Sequence, residues 1–412
     1  MSKNVLLIID PQIDFTEGGS LQVPGATEDY ENMITMLNSV GDKFNEIHVS
    51  LDTHTENHIG HPNFWIQTNG SDIPNSIFIL DIDSNDTITG SNILVGVPNV
   101  DHTPSIVVVP RQNNTDLLKY VKDYLKWFNT STNTHGQRCF IWFQHCIEKS
   151  PGHKVADILK KKLDEMGTNE MGTKVHYHIK GQNNLAEMYS IFKAERPVST
   201  DDASLLADFI YGGLNTTDGE SSETYEGVIE LKNLKTDLNI ELLNSLLGTK
   251  EAQNTVYICG EARTHCVKSS AIDLLEYVRK NGYDETKIVF IKNASSPIMA
   301  TPNDILRKMT GKNMSDKEEF KADEATTMYE KMTGKKYADI FTNDYVMYGA
   351  KAMTTDEIVQ LMRPNYAAST VSSEGKEREK AVLSKLKPWR GGRKTKKARK
   401  SRKSRKSRKS RR

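Results

Sequence analysis

Short apolar, β-branched runs alternate along the chain with stretches in which apolar positions recur every three or four residues. The runs at 4–9, 46–51, 105–109, 139–143, 174–179, 256–259 and 287–291 have the length and composition of strands. Between them the spacing predicts helices near 29–42 and over 116–128, 154–165, 201–211, 237–247 and 266–280. Strands that alternate with helices build a mostly parallel sheet covered on both faces, a Rossmann-like three-layer α/β/α architecture. Sites in such sheets gather outside the carboxyl ends of the strands, so chemically able residues should cluster there.

Three polar stretches interrupt this alternation. Residues 67–104 read as a long insertion, 215–222 as a loop or hairpin, and 309–344 as a charged segment of helical pattern. The expected organisation is one domain over 1–370, with a core of about 1–300 and these three insertions. A linker and basic tail over 371–412 complete the chain.

Charge sharpens that division. Of the 55 Lys and Arg residues, 15 lie in 390–412, so the other 40 face 54 acidic residues, a balance of −14 hidden under a net charge of +1. The tail repeats an Arg-Lys-Ser triplet and has almost nothing apolar with which to pack, which predicts disorder. Its partner is either its own acidic body or, non-specifically, the phosphates of nucleic acid or another polyanion. The chain has no long apolar run and its start lacks a secretory pattern, so no membrane partner is expected. Four cysteines without a CxxC pair read as reduced thiols. The expected setting is intracellular and cytoplasmic, with nuclear or nucleic-acid-associated placement through the tail as the alternative. A homo-oligomer is left open.

Residues able to do chemistry do fall at strand ends. Asp10 comes directly after the first strand, as a capping carboxylate or a base. Asp52 and His54 come after the second, on alternate positions of an extended segment that face one side and can share an ion. His58 and His61 come close behind, and His145 lies just past the 139–143 run. A carboxylate with imidazoles suits Zn²⁺, with Fe²⁺ or Mn²⁺ as alternatives. Lys180 ends the 174–179 run, where it can balance a carboxylate and a thiolate. Cys266 lies in VYICGEARTHCVK, with Thr264 placed as a helix N-cap, so the thiol sits near a helix start that favours thiolate. Its alternative reading is a small buried hydrophobe. Phe15 and Trp142 read either as walls for a flat ligand or as core.

An acid, a lysine and a cysteine in that order resemble the nicotinamidase branch of the isochorismatase-like cysteine hydrolases. The segments LLIIDPQIDFTEGGSLQVPGA, SLDTHTENH, WFQHC and GEARTHCV carry the resemblance, and KGQNNLAEMYSIFKAERP is similar to the lysine segment of a longer-chain subgroup. The resemblance implies an isochorismatase-like α/β fold with Cys266 as nucleophile, Asp10 as proton acceptor and Lys180 as the triad's cation. It implies Asp52, His54 and His145 as metal ligands, with His58 a neighbouring or alternative ligand. Phe15 and Trp142 would sandwich a pyridine ring. A cis Glu261–Ala262 peptide would aim the N–H groups of Ala262 and Cys266 at an oxyanion.

The activity this implies is metal-dependent hydrolysis of a small amide, nicotinamide to nicotinate and ammonia through a thioester, in NAD salvage. The alternatives are another small-amide or ureide hydrolase, or a non-catalytic scaffold tethered to nucleic acid by the tail. Phe143 stands where proline is usual, Glu148-Lys149-Ser150 replaces a glycine-threonine segment, and Glu261 replaces an aliphatic residue. Glu261 would place a charge beside the nucleophile loop that repels anionic substrates.

Overall fold

The computed structural model describes residues 1–93, 105–168, 173–210, 234–298 and 351–363. The stretches 215–222, 309–344 and 371–412 lie outside the described residues, as does 94–104 of the first insertion. The chain divides into a compact unit Met1–Pro364 and a second unit Asn365–Arg412.

In chain order the first unit begins with β1 (Asn4–Ile9), α1 (Ala26–Val40), β2 (Glu46–Asp52), β3 (Trp65–Gln67), β4 (Phe78–Ile82), β5 (Ile88–Asn92) and β6 (Ile106–Pro110). Next come α2 (Thr115–Trp127), β7 (Cys139–Ile141), α3 (Asp157–Thr168), β8 (Lys174–Lys180), α4 (Thr200–Leu205), α5 (Ala207–Ile210) and α6 (Ile240–Leu247). The small hairpin β9 (Gly248–Thr249) and β10 (Ala252–Gln253) leads to β11 (Thr255–Gly260), α7 (Lys268–Asn281), β12 (Ile288–Ile291), β13 (Lys351–Met353) and α8 (Thr355–Met362).

The main sheet runs β13-β12-β11-β1-β2-β8, and every pairing in it is parallel. From Val5 to Ile9 every residue of β1 is buried, as continuous apolar strands must be when both faces are covered. The expected α/β class and mostly parallel sheet are therefore present. The carboxyl ends of β1, β2, β8 and β11 lie side by side, with Ile9 opposite Gly260 and Asp52 opposite Lys180. Gly260 permits this closeness: its φ is +113°, and a Cβ there would stand 2.0 Å from the Ile9 carbonyl oxygen.

The insertion at 67–104 contains an antiparallel hairpin, formed by β4 and β5. That hairpin joins β3, β6 and β7 in a second sheet of order β3-β6-β5-β4-β7, antiparallel throughout. The runs at 105–109 and 139–143 therefore belong to this second sheet, and the latter ends as a strand at Ile141. Trp65, Phe78, Leu80 and Val108 of this sheet pack with Tyr120 and Tyr124 of α2 in a core of their own. Thr264 does not cap a helix: it lies within a wide π-type turn, Arg263–Val267, that runs directly into α7. Its hydroxyl accepts from Ile298 N at 3.3 Å.

The sheet also extends past residue 300, where β13 adds an edge and leads into α8. Thr354 caps α8 through a reciprocal capping box with Glu357. Among the described residues no helix is long and apolar enough to cross a membrane.

One buried bridge ties α7 to the segment after β8. His135 is 3 % exposed and contacts Glu195 Oε1 at 2.9 Å through Nδ1 and Asp273 Oδ1 of α7 at 2.8 Å through Nε2. Burial would lower its pKa, but hydrogen bonds to Asp273 and Glu195 raise it from 6.5 to about 9. Its stabilisation is therefore complete below the unfolded value of about 6.5 and is lost as pH rises through about 9. The amount is on the order of 3 kcal/mol. Thermal midpoints measured from pH 6 to 10 should fall more steeply for the native chain than for His135→Gln; parallel curves would contradict the bridge.

Candidate active site and metal centre

Lys180, the last residue of β8, is 1 % exposed and sits at the centre of the site. Its Nζ lies 3.0 Å from Asp10 Oδ2, 2.9 Å from Asp52 Oδ1 and 3.7 Å from Cys266 Sγ, and it donates to the Met188 carbonyl at 2.9 Å. Three parallel strands and the turn after a fourth thus bring together four residues separated by up to 256 positions in sequence. The site needs this convergence because a buried ammonium is tolerated only when carboxylates and carbonyls satisfy it.

Asp10 is fully buried and has φ of +44°, a conformation rare for a non-glycine residue. Ser50 of β2 holds it there, accepting from Asp10 N at 3.0 Å and donating to Asp10 Oδ1 at 2.6 Å. Burial pushes the Asp10 carboxyl up, although Lys180 opposes the shift. Burial likewise pushes the Cys266 thiol well up, again against Lys180, and the adjoining carboxylates of Asp10 and Asp52 add to the rise. Burial and these carboxylates therefore oppose the thiolate that a helix start would favour.

Gln12 was not foreseen. Its amide donates to the carbonyls of Asp52 at 2.7 Å and His153 at 2.8 Å, and its oxygen accepts from Asp52 N at 2.7 Å. It fixes the end of β2 against the loop after β1. Asp14 does the same for the histidine loop, accepting from Cys146 N at 2.7 Å.

Beside the triad lies a buried group of imidazoles. Asp52 Oδ2 is 3.0 Å from His54 Nε2 and 3.4 Å from His145 Nε2. Adjacent ligands of a tetrahedral Zn²⁺ stand about 3.4 Å apart, so this spacing fits one ion. His54, His61 and His145 offer ligand atoms all within 4.8 Å of one another, and so do His54, His58 and Glu187. Burial and the neighbouring imidazoles hold His58 and His61 well below the usual range, in the neutral form that ligates metals. His61 Nδ1 is buried without a hydrogen-bond partner, an orphaned donor or acceptor that an ion would satisfy. Burial alone would raise Asp52, yet His54 and Lys180 hold it well below the carboxylate range.

The structure thus gathers Asp52, His54 and His145, with His58 alongside, and adds His61 and Glu187. His61 was visible as the third histidine of the 54–61 loop. Glu187 carried no sequence signal, because only the buried path of 182–195 brings it there. Gly181 makes room for that path: with φ of +81°, a Cβ would meet His54 Cε1 at 2.8 Å and Asp52 Oδ1 at 2.9 Å.

Phe15 and Trp142 are both buried. The Phe15 ring is 5.6 Å from that of His145, while Trp142 stacks on Phe140 and donates to the Tyr189 hydroxyl at 3.0 Å. His265, just before the cysteine, packs 5.1 Å from Trp142 and 5.3 Å from Tyr189. A cleft of about 400 Å³ opens beside Pro62, Asn63, Phe143 and Gln144, next in sequence to His61 and His145.

The Glu261–Ala262 peptide is cis. Glu261 is fully buried, accepts from Ser296 N at 3.2 Å and adjoins Asp29. Burial and Asp29 push its carboxyl well up, which disfavours a charge there.

No protein-family model and no curated protein matches the chain. Solved structures do match at low identity. One is a nicotinamidase–pyrazinamidase from Acinetobacter baumanii, 14 % identical over 87 % of this chain and 99 % of that one, with a TM-score of 0.39. A second is the yeast nicotinamidase bound to nicotinaldehyde, 15 % identical over 85 % and 99 %, with a TM-score of 0.40. A third is an N-carbamoylsarcosine amidase from Thermoplasma acidophilum, 12 % identical over 86 % and 98 %, with a TM-score of 0.32. At such identities and TM-scores the chemistry of this chain rests on its own residues.

Proposed function

We propose that the chain is a metal-dependent cysteine amidohydrolase that converts a small carboxamide, nicotinamide first among them, to its acid and ammonia. The observation that carries this reading is the buried Lys180 ammonium held between Asp10 and Asp52 with the Cys266 sulfur 3.7 Å away. In the reaction Asp10 accepts the thiol proton and Cys266 sulfur attacks the amide carbon. The backbone N–H groups of Ala262 and Cys266 stabilise the oxyanion, each worth roughly 3 kcal/mol. The C–N bond then breaks, Asp10 returns its proton to the departing ammonia, and water hydrolyses the thioester to free the acid and regenerate the thiol. Lys180 remains charged throughout and offsets whichever of Asp10 and Cys266 is anionic.

Asp52, His54 and His145, with His58 or His61 completing the set, would hold a divalent ion such as Zn²⁺, which supplies a Lewis-acidic anchor for a ring nitrogen. Phe15 and Trp142 are the proposed walls for the ring. Ammonia release from nicotinamide, set against a panel of small amides and ureides, tests the reading; a ureide preferred over nicotinamide would move the substrate class. Stripping metal with a chelator should raise KM for nicotinamide at least tenfold, with recovery on adding Zn²⁺. Full activity in metal-free protein would remove the ion from the mechanism.

A further inference from the structure

The polar face of β2 and β8 continues below the catalytic residues. Glu46, His48, Ser50 and Asp52 alternate along β2, and in register opposite them stand Lys174, His176, His178 and Lys180 of β8. Asp52 and Lys180 belong to the candidate active site, and Ser50 holds Asp10 there. The lower pairs form a separate cluster, roughly 13 Å from Asp52 to His48 at the rise of a strand. Glu46, His48 and His176 present ligand atoms all within 4.8 Å of one another. The His48 ring centroid lies 4.8 Å from that of His176, with planes 26° apart, and 5.0 Å from that of His178, with planes 3° apart.

His48 is only 4 % exposed, and its two nitrogens have different surroundings. Nδ1 meets His178 Nε2 at 2.8 Å, a full hydrogen bond in which one ring donates. Nε2 is buried, makes no hydrogen bond of normal length and stands 3.5 Å from Glu46 Oε2. A direct N–H···O bond would draw these atoms to about 2.9 Å. Ligands sharing a tetrahedral Zn²⁺ lie about 3.4 Å apart, close to the spacing found. The other Glu46 oxygen is already held by Lys3 Nζ at 2.5 Å, which fixes the carboxylate with Oε2 turned toward His48.

We propose that Glu46, His48 and His176 form a second metal site, for a divalent ion of the zinc type that prefers imidazole and carboxylate ligands. His178 fixes the ring of His48 through the Nδ1 contact, as a supporting partner does in such sites. The ion clips β8, the edge strand of the main sheet, to β2. None of these ligands touches the triad, so the site stands independently of the proposed reaction.

The test uses full-length, metal-free protein titrated with Zn²⁺ alone, with bound metal counted after gel filtration. The native chain is compared with His176→Ala, Glu46→Gln and His54→Ala. His176→Ala is expected to remove one equivalent of Zn²⁺ or weaken it at least tenfold, while nicotinamide turnover with saturating Zn²⁺ stays within twofold. Glu46→Gln keeps the shape of the side chain and removes only its charge, and should weaken the same equivalent. His54→Ala should leave that equivalent in place and remove a different one. Zn²⁺ stoichiometry and affinity unchanged in both His176→Ala and Glu46→Gln would overturn the site, whatever the total bound.

Discussion

Cys266→Ala is expected to reduce ammonia release from nicotinamide by on the order of 10³-fold or more, with no loss of folding. No other thiol can substitute. Cys139, Cys146 and Cys259 are all buried, and burial pushes each of them well up as it does Cys266. Only Cys266 has Lys180 at 3.7 Å and the carboxyl of Asp10 beside it. The substitution removes one sulfur from a buried position without stranding a charge, so the thermal midpoint should move by only a few degrees. Turnover at the native rate in a folded variant would end the assignment of the nucleophile.

Lys180→Met should be the most destabilising single change in the site. It leaves Asp10 buried without its cation, and removing one partner of a buried ion pair costs about 3–5 kcal/mol. At this chain length that is roughly 4–6 °C in the thermal midpoint. Asp10 sets the sign with pH. Its folded pKa already lies above the unfolded value, and losing Lys180 raises it further. The variant is therefore least impaired below about pH 4, where the acid is protonated in both states, and loses stability as pH rises. Adding Asp10→Asn should recover much of the loss at pH 7, because the stranded carboxylate is gone. A Lys180→Met protein as stable as the native chain at pH 7 would show that Lys180 is not the site's charge balance.

Strand-end residues show how far sequence reading reaches here. Asp10 and Cys266 were legible because continuous apolar strands must be buried and the residues past them emerge at one edge, while Asp52 and Lys180 end the alternating strands β2 and β8 at that same edge. His54 and His145 were legible by type and spacing. The reason given for His145 was incomplete, since its strand belongs to the antiparallel second sheet and the loop at 142–145 brings the imidazole across. A run of three apolar residues carries no record of which sheet it joins.

The least legible features were electrostatic. Glu261 in the sequence is a charge beside Cys266, and in the structure it is a buried acid beside Asp29 with its carboxyl pushed well up. Cys266 near a helix start suggests a thiolate, and burial beside two carboxylates pushes the thiol up instead. In both cases desolvation outweighs the local effect, and desolvation depends on which distant segments cover the group.

By itself, then, the sequence determined the parallel α/β core, the order of the acid, the lysine and the cysteine, and the imidazole-rich loop, because each arises from local periodicity and residue type. The tertiary structure decided the 3.0 Å and 2.9 Å contacts of Lys180, the recruitment of His61 and Glu187, the second sheet and the burial of Cys266 and Glu261. Those depend on register between strands and on burial. Both come from contacts between residues tens to hundreds of positions apart, which no local pattern records.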